Sequence, residues 1–382
     1  MLSRHRKSHW YPRLLIASFL LMILLPSVDM IVGLDSTPVS RKTAPPPPMP
    51  TDLRSLASLP GAFKWYFGEN FGFRSYLIQL HGRYKTKVWG SSGSTRVLQG
   101  KQGWAYYRDD LTLEDYRNLY PFDAQGLEAW VELVRKRHAF CEARGIDWVF
   151  TITPNKPGIY PEFLPKGWAP LDRDKRLDQL HNAVAERLPK VKLIDLRPAL
   201  LAAKTDHLLY YKTDTHWNEV GAFVGYIEVM KAFRDKYPGL KLPHLADASI
   251  ETSPSNGGDL ARMMGLKFAI NEPLLHPVFT SSRTVRVLPG GGPVDVGVKD
   301  IERPTDKLIT ACDEGEIESA VIFHDSFGQA MIPLIARHFK RAVFVWSKSF
   351  DPKLVEDEQP TVVIQQLVER RLMNWEPEWE LP

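Results

Sequence analysis

Short apolar runs alternate with amphipathic stretches along this 382-residue chain, and that alternation limits its fold more than any other feature. A helical pattern over Phe122–Arg144, with Leu127, Trp130, Leu133 and Phe140 on its apolar side, stops at Gly145. The compact run Asp147-Trp148-Val149-Phe150-Thr151-Ile152-Thr153-Pro154 follows it and reads as a strand. A charged helix over Leu171–Leu188 and a second strand over Val191–Leu196 continue the pattern. Another helix is expected over Asn218–Tyr237, and strands return at Ala320–Phe323, Ala342–Trp346 and Thr361–Ile364. Strands joined through helices lie side by side in parallel, with helices on the sheet faces. The expected class is therefore α/β, a mostly parallel sheet flanked by helices.

Three regions depart from that pattern. Lys241–Thr310, with Pro289-Gly290-Gly291-Gly292-Pro293, is rich in prolines, glycines and short alternating runs. It reads as an irregular, strand-rich insertion over 241–310 that shapes a cleft. Leu53–Lys87 reads as helical, with Leu56, Leu59, Phe63, Trp65, Phe67, Phe71, Phe73, Leu77 and Leu80 among polar residues. Two short strands are expected near Thr95–Leu98 and Trp104–Tyr107, turning at Gly100 and Gly103.

Arg4, His5, Arg6, Lys7 and Arg13 precede the apolar run Leu14–Leu25, a charged flank ahead of a hydrophobic core. The segment to Leu34 is long enough to span a bilayer, and no small-x-small cleavage site stands near Val28–Gly33. It reads as an uncleaved signal anchor, with a cleaved signal peptide as the alternative. The basic flank stays cytoplasmic and the rest lies outside, in the periplasm. Ala44-Pro45-Pro46-Pro47-Pro48-Met49-Pro50 then holds the chain extended. The expected organisation is residues 1–34 as basic region and anchor, 35–54 as spacer, and 55–382 as the functional domain. A net charge of +4, with no basic block beyond the N-terminus, argues against nucleic-acid binding. Cys141 and Cys312 are the only cysteines, either bridged or free. No cysteine and histidine grouping points to a metal.

Tyr210-Tyr211-Lys212-Thr213-Asp214-Thr215-His216-Trp217 places a carboxylate two residues before an imidazole. In extended backbone these two side chains share a face, so Asp214 can accept the His216 Nδ1–H and leave Nε2 as a base. The matching nucleophile is Ser326, in Val321-Ile322-Phe323-His324-Asp325-Ser326-Phe327-Gly328. It follows an apolar strand and precedes the helix-like Met331–Lys340, and a strand-to-helix turn is where sheet enzymes expose a nucleophile. His324 stands where G-x-S-x-G has its first glycine, and Pro333 suits a first turn, so regular helix is expected from about Ile332. The structural alternatives are a satisfied Asp–His pair, an Asp214 that caps a local turn, and an ordinary turn or cap serine. Asn155 and Lys156, at a strand end, either hold an oxyanion or an anionic sugar or are turn residues. Tyr211 and Trp217 either stack on a sugar ring or pack. Arg370 either meets a uronate carboxylate bidentately or forms a structural ion pair.

YYKTDTHW (210–217) and FHDSFG (323–328), read with the N-terminal anchor, resemble the AlgJ/AlgX-type alginate O-acetyltransferases, exported relatives of the SGNH hydrolases. FGENFGFRSY (67–76), GWAYY (103–107), TPNKPGIYPEFLP (153–165), GDLA (258–261) and TVVIQQLVER (361–370) extend the resemblance over about residues 55–372. It implies an SGNH hydrolase-like fold with Asp214, His216 and Ser326 as the triad, the Asp–His pair ahead of the serine. His324, where the commoner form has glycine, bears on the oxyanion geometry. The resemblance further implies O-acetylation of an exported polysaccharide, alginate or similar, with no cofactor. The acetyl donor would be relayed by a multipass membrane acyltransferase. A chain ending at residue 382 without a carbohydrate-binding module is closer to the membrane-anchored AlgJ type. The same residues would equally serve a carbohydrate acetylesterase, or persist unused in a non-catalytic scaffold of an exopolysaccharide export complex.

Overall fold

The computed structural model describes residues 10–36, 44–88, 90–279, 283–288 and 307–374. The basic residues Arg4–Lys7 and the glycine run Pro289–Pro293 lie outside the described residues. The chain divides into two compact units, one comprising the residues up to Gly93 with Arg262–Ala269, the other Ser94–Ala261 with the residues from Ile270 onward. The expected start of the large domain at residue 55 thus falls inside the first unit.

In the first unit, Trp10–Val32 forms one apolar helix of 23 residues, long enough to cross a membrane. The helical stretch expected over Leu53–Lys87 is two helices, Leu53–Asn70 and Arg74–Val88. They are parted at Phe73, whose φ of 58° leaves the helical region. Asp52 starts the first of them by accepting the Ser55 amide at 2.7 Å, while Ser55 Oγ accepts the Asp52 amide in return.

In the second unit, β1 (Val97–Gln99) and β2 (Ala105–Tyr107) form an antiparallel pair. β3 (Asp147–Thr153) and β4 (Lys192–Asp195) follow, and β5 (Ser249–Ser253) pairs antiparallel with β6 (Leu274–Val278). The remaining strands are β7 (Arg286–Val287), β8 (Lys307–Ala311), β9 (Ile317–His324), β10 (Phe339–Trp346) and β11 (Val362–Val368). Among the described residues, seven strands form the central sheet in the order β4-β3-β11-β9-β10-β8-β7. The five from β4 to β10 are parallel, and β8 and β7 close one edge antiparallel. The expected insertion therefore ends too late: Lys307–Thr310 belongs to the sheet.

Side chains alternate between two cores, as strand geometry requires. Ala320 and Ile322 of β9 and Ile364 of β11 pack with the helix Glu219–Lys231. Val321, Phe323 and Val363 pack on the other face with the helices Ala124–Glu142 and Arg176–Arg187. This is the expected α/β class, with helices on both faces of a mostly parallel sheet. Cys141 and Cys312 are buried and unpaired, which removes the disulfide alternative.

Met331–Lys340 is not the expected helix. Ile332–Ile335 is a single α turn between two 3₁₀ segments, with Pro333 in its first turn, and Phe339 already begins β10. One turn has no useful macrodipole.

Candidate active site

Parallel strands end together, so the turns after β3, β9 and β11 share the carboxyl edge of the sheet. They carry Asn155 and Lys156, Ser326, and Arg370 respectively. Ser326 is half-buried between the buried Asp325 and Phe327. The Asp325 carboxylate accepts the Phe327 amide at 2.9 Å and the Val368 amide at 2.7 Å, fastening the turn to β11. Gln366 of β11 accepts the Asp325 amide at 3.2 Å.

His324, the last residue of β9, is buried. Its buried ring lies edge-on to Trp346 and hydrogen-bonds the Asp325 carbonyl at 2.9 Å, and burial lowers its pKa. A Cβ on Gly328 would come within 2.4 Å of the His324 Cβ, so the histidine depends on the glycine four residues later.

The extended backbone expected for the Asp–His segment is not what forms. A bridge between Tyr210 and Trp217 closes residues 211–216 into a loop. Asp214 Oδ1 accepts the His216 amide at 3.0 Å, a local Asx turn, and also bonds His216 Nδ1 at 2.7 Å. His216 Nε2 lies 2.8 Å from Ser326 Oγ. The two segments, 110 residues apart, thus form one continuous hydrogen-bonded chain.

Burial disfavours both charges, but the pair overrides it. The Asp214 carboxyl is held well below its usual range by His216, and His216 is raised above its usual value by Asp214. The Asp259 charge also raises His216, and the Arg370 charge opposes it.

Three further residues, none of them marked as its partner by the sequence, hold the loop. Asp214 Oδ2 accepts the Asp259 amide at 2.8 Å. The Asp259 carboxylate takes the Thr215 amide at 2.8 Å and its hydroxyl at 2.7 Å. Buried Glu272 accepts the amides of Lys212 and Thr213 and the Thr213 hydroxyl. Gly258 leaves room for Asp214: a Cβ there would stand 2.4 Å from both its Cβ and its Oδ2. Gly258→Ala is expected to displace that carboxylate and lower turnover about 100-fold, the scale set by a misplacement of about 1 Å; steady-state kinetics at unchanged protein concentration checks it. Ligand atoms of Asp214, His216 and Asp259 lie within 4.8 Å of one another, but their hydrogen bonds already link them into the loop's frame.

Two expected substrate contacts are structural instead. Lys156 is 3% exposed, and its ammonium donates to the carbonyls of Tyr211, Lys212 and Asp214 at 3.0, 3.0 and 2.7 Å. Its donors are used up on the loop, and burial pushes its pKa down to about 8. Trp217 is 2% exposed and donates to the Phe327 carbonyl at 3.0 Å, so it ties the two segments together from inside rather than presenting a sugar platform. Tyr211 is half-buried, its hydroxyl bonded to Glu219. Asn155 is buried, with its backbone N–H donating to the Glu369 carboxylate at 2.7 Å. Arg370 is 8% exposed and donates to Asn155 Oδ1 at 3.3 Å, with its guanidinium carbon 5.5 Å from the Phe327 ring centre.

A mostly parallel sheet with an Asp–His–Ser chain at its carboxyl edge is the arrangement of a serine hydrolase or acyltransferase of α/β fold. The family model described as "SGNH hydrolase-like domain, acetyltransferase AlgX" matches residues 97–292, just over half of the chain. The chain belongs to this family. The match includes Asp214 and His216 and ends before Ser326. Among curated relatives, the probable alginate O-acetylase AlgJ of Pseudomonas fluorescens is 26% identical over 208 residues, 54% of this chain and 50% of that protein. The protein of that name from Pseudomonas syringae pv. tomato is 29% identical over 192 residues, 48% and 47% respectively. The chain spans about half the length of the curated relatives it matches. The structure of Bacillus cereus PatB1 with a sulfonyl adduct superposes with a TM-score of 0.54 at 16% identity, covering 75% of this chain and all of that one. That likeness is one of fold.

Proposed function

We propose that this protein is an O-acetyltransferase that acetylates hydroxyls of an exported bacterial polysaccharide, alginate or one like it. The observation that carries the reading is the unbroken chain from Asp214 through His216 to the half-open Ser326. His216 Nε2 takes the Ser326 proton as Oγ attacks the acetyl carbonyl, and it returns that proton to the departing group. A sugar hydroxyl then loses its proton to His216 and attacks the acetyl-serine, which regenerates Ser326. Asp214 fixes the Nδ1–H tautomer and offsets the imidazolium charge. Arg370, oriented by Asn155, supplies positive charge beside the carbonyl oxygen as it becomes negative, or meets a uronate carboxylate. Tyr211 borders the acceptor side. The family membership and the AlgJ relatives support the acetyl group and the polysaccharide.

In this reading Trp10–Val32 is an uncleaved inner-membrane anchor, the basic flank before it is cytoplasmic, the chain after it is periplasmic, and a multipass membrane acyltransferase relays the donor. Incubation with an acetyl ester and an oligosaccharide tests the chemistry. Acetylated sugar is the expected product, and free acetate alone would mean a carbohydrate acetylesterase, to which a half-open Ser326 gives some support. Because His216 acts unprotonated, kcat/KM is expected to fall as pH drops through its pKa, an acid limb above the ordinary histidine value of about 6.5. In Asp214→Asn that limb moves to lower pH, since the group raising the pKa is gone, and the rate falls about 10⁴-fold. A pH–rate profile of both proteins reads each effect.

A further inference from the structure

The helices Leu53–Asn70 and Arg74–Val88 carry an apolar face that is left exposed among the described residues. None of the 18 residues of the first helix is buried. Leu53, Leu56, Leu59, Phe63 and Phe67 recur at three- and four-residue steps, which places them on one side. Phe63 is 57% exposed and stacks on Phe67 at 6.4 Å between ring centres. In the second helix Leu77, Leu80, Tyr84 and Val88 form a matching stripe, with Leu80 50% and Tyr84 52% exposed. The opposite side of that helix is the packed one, where Gly82 lies against Met264 and Leu266.

Two observations say what covers this face. The first is where the helices meet the apolar helix Trp10–Val32. Asp29, near the end of that helix, accepts the Phe73 amide at 2.8 Å and the Asp35 amide at 2.6 Å. Phe73 lies in the break between the two amphipathic helices, so both leave from the outer end of the span. The second is charge. Residues 53–88 hold six lysines and arginines against the single acid Glu69. Beside the stripe, and sharing Leu77 with it, a cavity of about 540 Å³ is lined by Arg74, His81, Arg262 and Lys267 and by no acidic residue. Aromatic and apolar side chains interleaved with cations, at the level where a span leaves the bilayer, match the chemistry of a lipid interface with anionic headgroups.

We infer that these two helices lie on the outer leaflet of the membrane, their apolar stripes in the headgroup–acyl boundary and their basic residues on lipid phosphates. This rests on the reading of Trp10–Val32 as a membrane anchor. The collar fixes the height and tilt of the first unit on the bilayer, which a single span with a proline-rich spacer does not do.

The test uses the full-length chain in vesicles of phosphatidylcholine and phosphatidylglycerol. A nitroxide is placed in turn at Phe63→Cys, Leu80→Cys, the opposite-face Ser58→Cys and the span's Phe19→Cys. Accessibility to oxygen, enriched in lipid, is compared with accessibility to a water-soluble nickel chelate. The expected result is a lipid signature at 19, 63 and 80, with an oxygen-to-nickel ratio several-fold above that at 58. A lipid signature at 19 with free nickel access at 63 and 80 overturns the inference and leaves the anchor standing. Nickel access at 19 overturns the anchor and the collar with it. Labels at 63 and 80 shielded from both reagents mean that protein, not lipid, covers the face, which also overturns it.

Discussion

Ser326→Ala is expected to abolish acetyl transfer, by about 10⁴-fold or more in kcat, with the thermal midpoint unchanged. The Ser326 side chain makes one hydrogen bond of consequence, to His216 Nε2, and Ser326 itself is half-open. Its loss removes the acyl acceptor without emptying a packed core. Asp214, Asp259 and the loop keep every bond they have. Rates on an acetyl ester, with a melting curve on the same sample, separate the two effects. A scaffold with an idle site would instead leave polymer acetylation in the Ser326→Ala strain at its normal level.

Lys156→Met is expected to lower stability by about 2–4 kcal/mol, because three loop carbonyls lose a buried charged donor. Part of the loss is offset, since burial already disfavours the ammonium. Its folded pKa of about 8 lies below the unfolded value, so the charged form is penalised in the folded state. The sign follows: as pH rises from about 8 towards the unfolded value of about 10.4, that penalty disappears and wild-type stability from this group increases. The methionine variant lacks that rise. Turnover should fall as well, about 100-fold, because the clamp holds the backbone carbonyl of Asp214 itself. Denaturant titrations at neutral and alkaline pH, with kcat and KM measured separately, read all three effects. A lysine that gripped an anionic sugar would instead raise KM alone and leave stability intact.

The contrast between Lys156 and His216 shows what a sequence displays of such a site. The Asp214–His216 pairing is local, two residues apart, and its chemistry is legible even though the backbone that makes it is an Asx turn rather than a strand. The central strands were legible for a similar reason, since β3, β9, β10 and β11 are short apolar runs bounded by turns. The meeting of His216 with Ser326 across 110 residues was legible from the strand-to-helix turn that carries the serine and from the family resemblance, not from any local spacing.

Partners of the loop left no such trace. Asp259 and Glu272 bond residues 44 to 60 positions away, and nothing in their own neighbourhood marks them as its supports. Trp217 has the composition of a sugar platform, but tertiary packing turned its ring inward, where Phe327 and its carbonyl take it. The segment after Ser326 misled because apolar spacing over Met331–Lys340 imitates a helix. The chain there has room for one turn before β10.

The most direct test of the account is the acyl-enzyme. Full-length protein is mixed with an activated acetyl ester, quenched in acid, digested and mapped by mass spectrometry. The account predicts one added acetyl group on the peptide containing Ser326, formed more slowly in Asp214→Asn and discharged when an acceptor oligosaccharide is added. Acetylation confined to other residues, or equal labelling of that peptide in Ser326→Ala, would contradict it.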